Sequence, residues 1–134
     1  MPYSRVTRMA IVAAATIAST VAAGTPALAA GGDSTPPTAP YLIYAQGYYC
    51  GQLIVGMMRS TDNVTPQPQL RYEVLADGRP IGSATDMGEE DGVWAWLQND
   101  VLTPGAHTIT VKAEDAAGNW SAASNADVVT GYAC

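Results

Sequence analysis

Residues 102–130 read LTPGAHTITVKAEDAAGNWSAASNADVVT, and the alternation inside this stretch decides the fold class. Over 108–114, Ile109, Val111 and Ala113 fall on one side and Thr108, Thr110, Lys112 and Glu114 on the other. A period of two is what a strand with one buried and one wet face requires. Pro104 and Gly105 punctuate its start. Asp115, Gly118 and Asn119 tolerate the tight or left-handed backbone of a turn before a second apolar run at 125–130. The pair is expected to form a β-hairpin.

The same pattern recurs on the N-terminal side. Residues 41–45 read as a first strand, 47–51 as a turn, and 52–59 as a second strand with Leu53, Val55 and Met57 on one face. Residues 60–69, STDNVTPQPQ, are too rich in Pro, Asp and Asn for a regular element and are expected to be a loop. Residues 70–76 alternate again, with Leu70, Tyr72 and Val74 inward and Arg71 and Glu73 outward. Asp77-Gly78 is then the two-residue turn that favours a tight hairpin into 79–83. Pro80 assigns that return strand to a sheet edge, because proline has no N–H to give to a ladder. An acidic loop at 86–92 and a short strand at 93–97 complete the series. Seven strands, no helix-period segment and turn chemistry every eight to twelve or so residues indicate an all-β, seven-stranded antiparallel sandwich.

With 134 residues the chain has room for one domain. Its first 29 residues have the marks of a secretory signal peptide: Arg5 and Arg8, a small-residue apolar run over 9–23, and Ala27-Leu28-Ala29 as an A-x-A cleavage pattern. A membrane anchor would need about 20 strongly apolar residues. This run is shorter and is interrupted by Thr16, Ser19 and Thr20. The expected organisation is a signal peptide over 1–29, a Gly/Pro-rich tether over 30–38 held extended by Pro36-Pro37, and the sandwich over 39–134.

Loss of Arg5 and Arg8 takes the formal charge from −6 to −8 and leaves Arg59, Arg71, Arg79 and Lys112 as the only cations. A nucleic-acid partner needs clustered Lys or Arg and is excluded on that ground. The expected product is a secreted, extracellular monomer with no membrane association after cleavage. Cys50 and Cys134 allow one bridge, which an exported protein can keep; two free thiols are the alternative. In the loop-entropy picture, closing a loop of more than eighty residues contributes about 4 to 4.5 kcal/mol.

Taken together, DSTPPTAP at 33–40, STDN at 60–63, YEVLADG at 72–78, LTPG at 102–105 and VKAEDAAGNWSAASN at 111–125 resemble a fibronectin type III domain. The resemblance is to the kind found in secreted actinobacterial proteins, often attached to polysaccharide-degrading enzymes, and covers about 33–130. Two positions depart from the family pattern. Its strand-B tryptophan falls on Met57, and the tyrosine expected soon after LTPG is replaced around His107. The core is therefore expected to be repacked, and a related bacterial immunoglobulin-like sandwich remains an alternative. The topology implied by the resemblance puts the Cys50 loop and the end of the last strand at one pole, where a Cys50–Cys134 bridge would pin the C-terminus.

No catalytic or ligating constellation stands out, and neither an enzyme nor a cofactor is expected. Nucleophilic catalysis needs a nucleophile, a base and an orienting group. The sole histidine, His107, sits where the resemblance implies a structural role. Asp86, Glu89, Glu90 and Asp91 match neither a calcium loop nor a paired-carboxylate site and read as a solvated acidic loop. Asp62, Asn63 and Asp115 are expected on loops at one pole. Turn formation explains them, a weak calcium site is the alternative, and no metal is assigned. Residues 64–69 suggest a further alternative, a protease-inhibiting loop held extended by its prolines.

The tryptophans carry the one site-level expectation. Trp94 and Trp96 are two apart on a strand and share a face, with Val93, Ala95 and Leu97 on the other. With the aliphatic trio inside, the indoles form an apolar platform suited to sugar rings or to a protein partner. With the trio outside, both indoles fill the core in place of the missing strand-B tryptophan. The function expected from the sequence is that of a non-catalytic secreted module acting by surface binding, to extracellular polysaccharide or to another secreted protein, with a purely structural role as the alternative.

Overall fold

Alternating side chains give each strand one apolar face, and the chain buries those faces by stacking two sheets. A computed structural model describes residues 32–88 and 90–134. The expected signal peptide and Glu89 lie outside the described residues. The strands are β1 (Tyr41–Gly47), β2 (Leu53–Met58), β3 (Arg71–Ala76), β4 (Arg79–Thr85), β5 (Val93–Leu97), β6 (Gly105–Glu114) and β7 (Asp127–Gly131). One sheet has the order β1-β2-β5, the other β4-β3-β6-β7, and every strand pair is antiparallel. Pro80 lies on β4, an edge strand as expected. Asp77 and Gly78 both take positive φ, +51° and +78°, as a tight two-residue hairpin needs.

The core forms where the two inner faces meet. Leu42, Leu53, Val55, Met57, Val93, Ala95 and Leu97 come from one sheet; Tyr72, Val74, Ala76, Ala84, Ile109, Val111, Ala113 and Val129 come from the other. None of the three tryptophans is among them. The largest fully buried side chain is Tyr72, whose hydroxyl accepts the Ser60 N–H at 3.0 Å. Met57 and Tyr72, from facing sheets, are both among the largest fully buried side chains.

Four local expectations need correction. The strand expected from 125 starts at Asp127, and β7 pairs only with residues 105–109 of β6. Further along β6, serines replace the missing strand: Ser121 Oγ accepts the Ala113 N–H and Ser124 Oγ the Val111 N–H, both at 2.9 Å, while their own N–H groups donate to the carbonyls of Ala113 and Val111. Asn125 leaves the ladder altogether. Its side-chain amide donates to the Leu42 carbonyl at 3.0 Å and accepts the Leu42 N–H at 2.8 Å, supplying on the edge of β1 what a neighbouring strand would.

Of the expected tether, residues 32–38 are described and are docked, since Pro37 is buried and Thr38 donates its N–H to the Thr61 carbonyl. In the expected 60–69 loop, Gln67–Gln69 form a 3-10 turn. Thr65 is buried there, and its Oγ1 accepts the Ala116 N–H. Thr65 anchors the segment while Val64 and residues 66–69 stay exposed, and the 3-10 turn shortens the extended stretch that motivated an inhibitory loop.

Candidate functional site

On the outer face of the three-stranded sheet, residues directly opposite one another across the strands share a side. Tyr44 is opposite Gly56, and Gly56 opposite Trp94; two residues along, Gln46 is opposite Ile54, and Ile54 opposite Trp96. The core-facing residues Val93, Ala95 and Leu97 are 1%, 6% and 9% exposed, whereas Trp94 and Trp96 are 46% and 64% exposed. Of the two arrangements that the i, i+2 spacing allows, the structure thus takes the platform, and the core placement of the indoles is corrected.

Gly56 holds Trp94 flat. A Cβ added there would lie 2.6 to 2.9 Å from Cζ3, Cη2 and Cε3 of the Trp94 ring, so the indole rests on the backbone of β2 where any side chain would displace it. Tyr44 reaches the same face through a bulge. Pairing shifts between Leu42 and Tyr44, so that Leu42 points into the core and Tyr44, two residues on, points out. Its ring centroid is 5.9 Å from that of Trp94, with the planes tilted by 49°. The Tyr44 hydroxyl donates to Gln46 Oε1 and lies 3.4 Å from the Tyr48 hydroxyl. The neighbouring Tyr48 hydroxyl, followed by desolvation, raises the Tyr44 pKa, so the phenol keeps its proton well above neutral pH.

Beside Trp94 runs a shallow groove of about 300 Å³ lined by Thr85, Met87, Asp91, Gly92 and the indole itself. The face is therefore aromatic in the middle, with Thr85 and Asp91 as the polar groups of the groove and Met87 as an exposed apolar one. Sequence reasoning found the two tryptophans and missed Tyr44, Gln46, Ile54 and Gly56. The available signal was Gly56, an isolated glycine inside an apolar strand, which marks close approach of another group.

The remaining candidates separate cleanly. Cys50 and Cys134 are bonded, with 4.2 Å between their Cα atoms. His107 Nδ1 faces Asp77 Oδ2 at 2.7 Å, while Nε2 faces the Thr103 carbonyl at 2.8 Å and Thr103 Oγ1 at 3.2 Å. A carbonyl can only accept, so Nε2 carries a proton and offers no lone pair with which to activate the Thr103 hydroxyl. The Asp77 hydrogen bond, followed by the Thr103 carbonyl, raises the His107 pKa.

Asp86 does not belong to a solvated acidic loop. It is buried, ion-paired to Arg59 Nε, and accepts from Arg59 Nη2 at 3.0 Å and from the Gly88 N–H at 2.8 Å. Glu90 and Asp91 are exposed. Asp62 and Asp115 do come together, joined by Asp33 from the docked lead-in; Asn63 contributes only its amide, 3.5 Å from Asp33.

No protein-family model and no curated protein matches this sequence. Solved structures share its architecture. The fibronectin(III)-like modules of Clostridium thermocellum CbhA superpose with a TM-score of 0.52 at 20% identity, over 73% of this chain and 47% of that one. The Clostridium perfringens spore cortex lytic enzyme SleM gives 0.51 at 16% identity, over 72% and 29%. The Yersinia enterocolitica family 28 exopolygalacturonase gives 0.50 at 15% identity, over 75% and 21%. This chain spans less than half the length of each. At these identities the likeness is one of fold, and the fold is a fibronectin type III or immunoglobulin-like β-sandwich.

Proposed function

We propose that this fibronectin type III-like sandwich is a non-catalytic secreted module that holds extracellular polysaccharide on the Trp94–Trp96 face. The observation that carries the reading is the pair of half-exposed indoles on one sheet face, with the aliphatic trio beneath them taking the core position. An exposed aromatic face offers a sugar ring an apolar surface for its C–H groups. Residues two apart on a strand are about 6.8 Å apart, so the two indoles can follow a chain of rings. The Tyr44 hydroxyl, the Gln46 amide, and Thr85 and Asp91 in the Trp94 groove stand at the margins to meet ring hydroxyls. Export is supported by the signal-peptide pattern and by a disulfide, which an oxidising compartment preserves. Two of the similar folds occur in proteins named as a spore cortex lytic enzyme and an exopolygalacturonase, where the matched part is the smaller share of the chain.

The test is co-sedimentation of the mature protein with cellulose, chitin, xylan and cell-wall material. Trp96→Ala is expected to lose tenfold or more in retention while changing stability by less than about 0.5 kcal/mol, as an exposed substitution should. Trp94→Ala, which also uncovers Gly56, is expected to cost about 1 kcal/mol and to weaken retention similarly. Wild-type protein that stays in the supernatant across the panel, or a Trp96 variant retained as well as wild type, would reject the reading.

A further inference from the structure

Three carboxylates from distant parts of the chain meet at the pole opposite the disulfide. Asp33 lies in the docked lead-in, Asp62 in the segment after β2 and Asp115 just after β6, and one oxygen from each lies within 4.8 Å of the others. Each group is held by outward donors. Asp62 Oδ2 accepts the N–H groups of Val64 and Thr65 at 3.0 and 2.7 Å. Asp33 Oδ1 accepts the Thr35 N–H at 3.0 Å and lies 3.5 Å from the Asn63 amide. Asp115 accepts from Asn119 on both oxygens, from the N–H at 2.8 Å on Oδ1 and from the side-chain amide at 2.7 Å on Oδ2.

Asp33 Oδ2 and Asp62 Oδ1 are a separate observation. Both atoms are shut off from solvent and have no hydrogen-bond partner. The Asp115 residue beside them is only 4% exposed. A carboxylate oxygen removed from water with nothing to replace it costs free energy, and three ionised groups in contact add mutual repulsion. The ion pairs among the described residues are made elsewhere, Arg59 with Asp86, Arg71 with Glu114 and His107 with Asp77.

From this geometry we infer that Asp33, Asp62 and Asp115 form a calcium site. The donors are all oxygen, which selects a hard cation over zinc or copper. Calcium is held by oxygens at about 2.4 Å, and two ligands of one ion are then at most about 4.8 Å apart, whereas magnesium at about 2.1 Å demands a tighter octahedron. The N–H donors behind Asp33 and Asp62 orient the free oxygen of each, as outer-shell groups do at metal sites, and Asn119 fixes the Asp115 carboxylate beside them. Bound calcium would fasten the lead-in to the β2–β3 and β6–β7 connections, ordering the point at which the chain enters the sandwich. Sites in extracellular modules bind at about 10⁻⁴ to 10⁻³ M, in the range where the ion is available outside cells.

The experiment is titration calorimetry and thermal melting of the mature, chelator-stripped protein with CaCl₂ and separately with MgCl₂. Expected is one saturable calcium site per chain, a melting point several degrees higher at saturating calcium, and at least a tenfold weaker response to magnesium. Asp62→Asn and Asp115→Asn are expected to lose tenfold or more in calcium affinity. Because those two also hold loops, Asp33→Asn is the control: it precedes every strand and is expected to melt no lower than wild type in chelator, one of three mutually repelling charges being gone, yet lose the calcium-induced rise. No calcium-dependent heat or melting shift in wild type, an equal response to both ions, or wild-type calcium affinity in Asp33→Asn would each overturn the inference.

Discussion

At the scale of single residues, His107 shows how a side chain that looks catalytic in type is committed to structure. Its two ring nitrogens face the Asp77 carboxylate and the Thr103 carbonyl, and Asp77 Oδ1 in turn accepts the Thr108 N–H at 2.9 Å, joining the β3–β4 turn to the start of β6. The His107 pKa is raised above its usual 6.5 by Asp77 and then by Thr103. The Asp77 pKa is lowered below its usual 3.8, first by the Thr108 N–H and then by His107. A raised histidine contributes stability that is complete below 6.5 and is lost as pH climbs through its folded value. A lowered aspartate contributes above 3.8 and loses that contribution as pH falls through its folded value. The contact is therefore strongest between roughly pH 4 and 6.5. The melting temperature is expected to decline from pH 6.5 toward 8.5, and His107→Gln to flatten that decline; a variant with an unchanged pH profile would show that the pair contributes nothing. The chemistry of His107 as an isolated residue was legible in the sequence. Its partners were not, because Asp77 lies thirty positions away.

Among the elements, β2 shows most clearly how one residue sets the character of a face. Leu53, Val55 and Met57 alternate into the core as their spacing demands, and Gly56 between them leaves the outer face without a side chain where Trp94 lies down. Gly56→Ala would put a Cβ inside the indole, and displacement of the ring is expected to cost about 1 to 3 kcal/mol. Tryptophan fluorescence should shift to the red and acrylamide quenching should increase, although no aromatic ring has been removed. Unchanged emission would mean that the indole does not rest on this strand. The bulge in β1 acts the same way on Tyr44. In a regular strand Tyr44 would follow Leu42 into the core, since a one-residue slip exchanges the two faces of a strand. The Ser121, Ser124 and Asn125 side chains stand in for ladder hydrogen bonds beyond β7, which explains why a run that reads as strand from residue 125 becomes one only from Asp127.

For the whole molecule, the two poles are closed by different means. At one, the Cys50–Cys134 bridge joins the β1–β2 turn to the C-terminus, and the Gly51 N–H donates to the Tyr132 carbonyl at 2.9 Å beside it. Linking residues 84 apart removes unfolded-state entropy worth up to about 4.5 kcal/mol. That is a large share of the net stability of a domain this size, about 5 to 15 kcal/mol. Reduction, or the Cys50→Ser, Cys134→Ser double variant, is expected to lower the unfolding free energy by about 2 to 4.5 kcal/mol in urea without changing the far-ultraviolet spectrum of the folded state. A loss under 1 kcal/mol would show that the backbone hydrogen bonds hold this pole unaided.

Strand positions, the Asp77-Gly78 hairpin, the edge placement of Pro80 and the single possible disulfide were all legible in the sequence, because each depends on a local period, on a residue's own backbone limits or on a count of two cysteines. Which face of β5 becomes the inside was not. A period of two defines two faces and leaves open which one the opposite sheet will cover, and that depends on the volume Tyr72 and Met57 already fill. The meeting of Asp33 with Asp115 and the use of Asn125 to cap the edge of β1 were decided by tertiary structure for the same reason. Contacts across more than eighty residues are set by how the two sheets stack, and no local pattern encodes them.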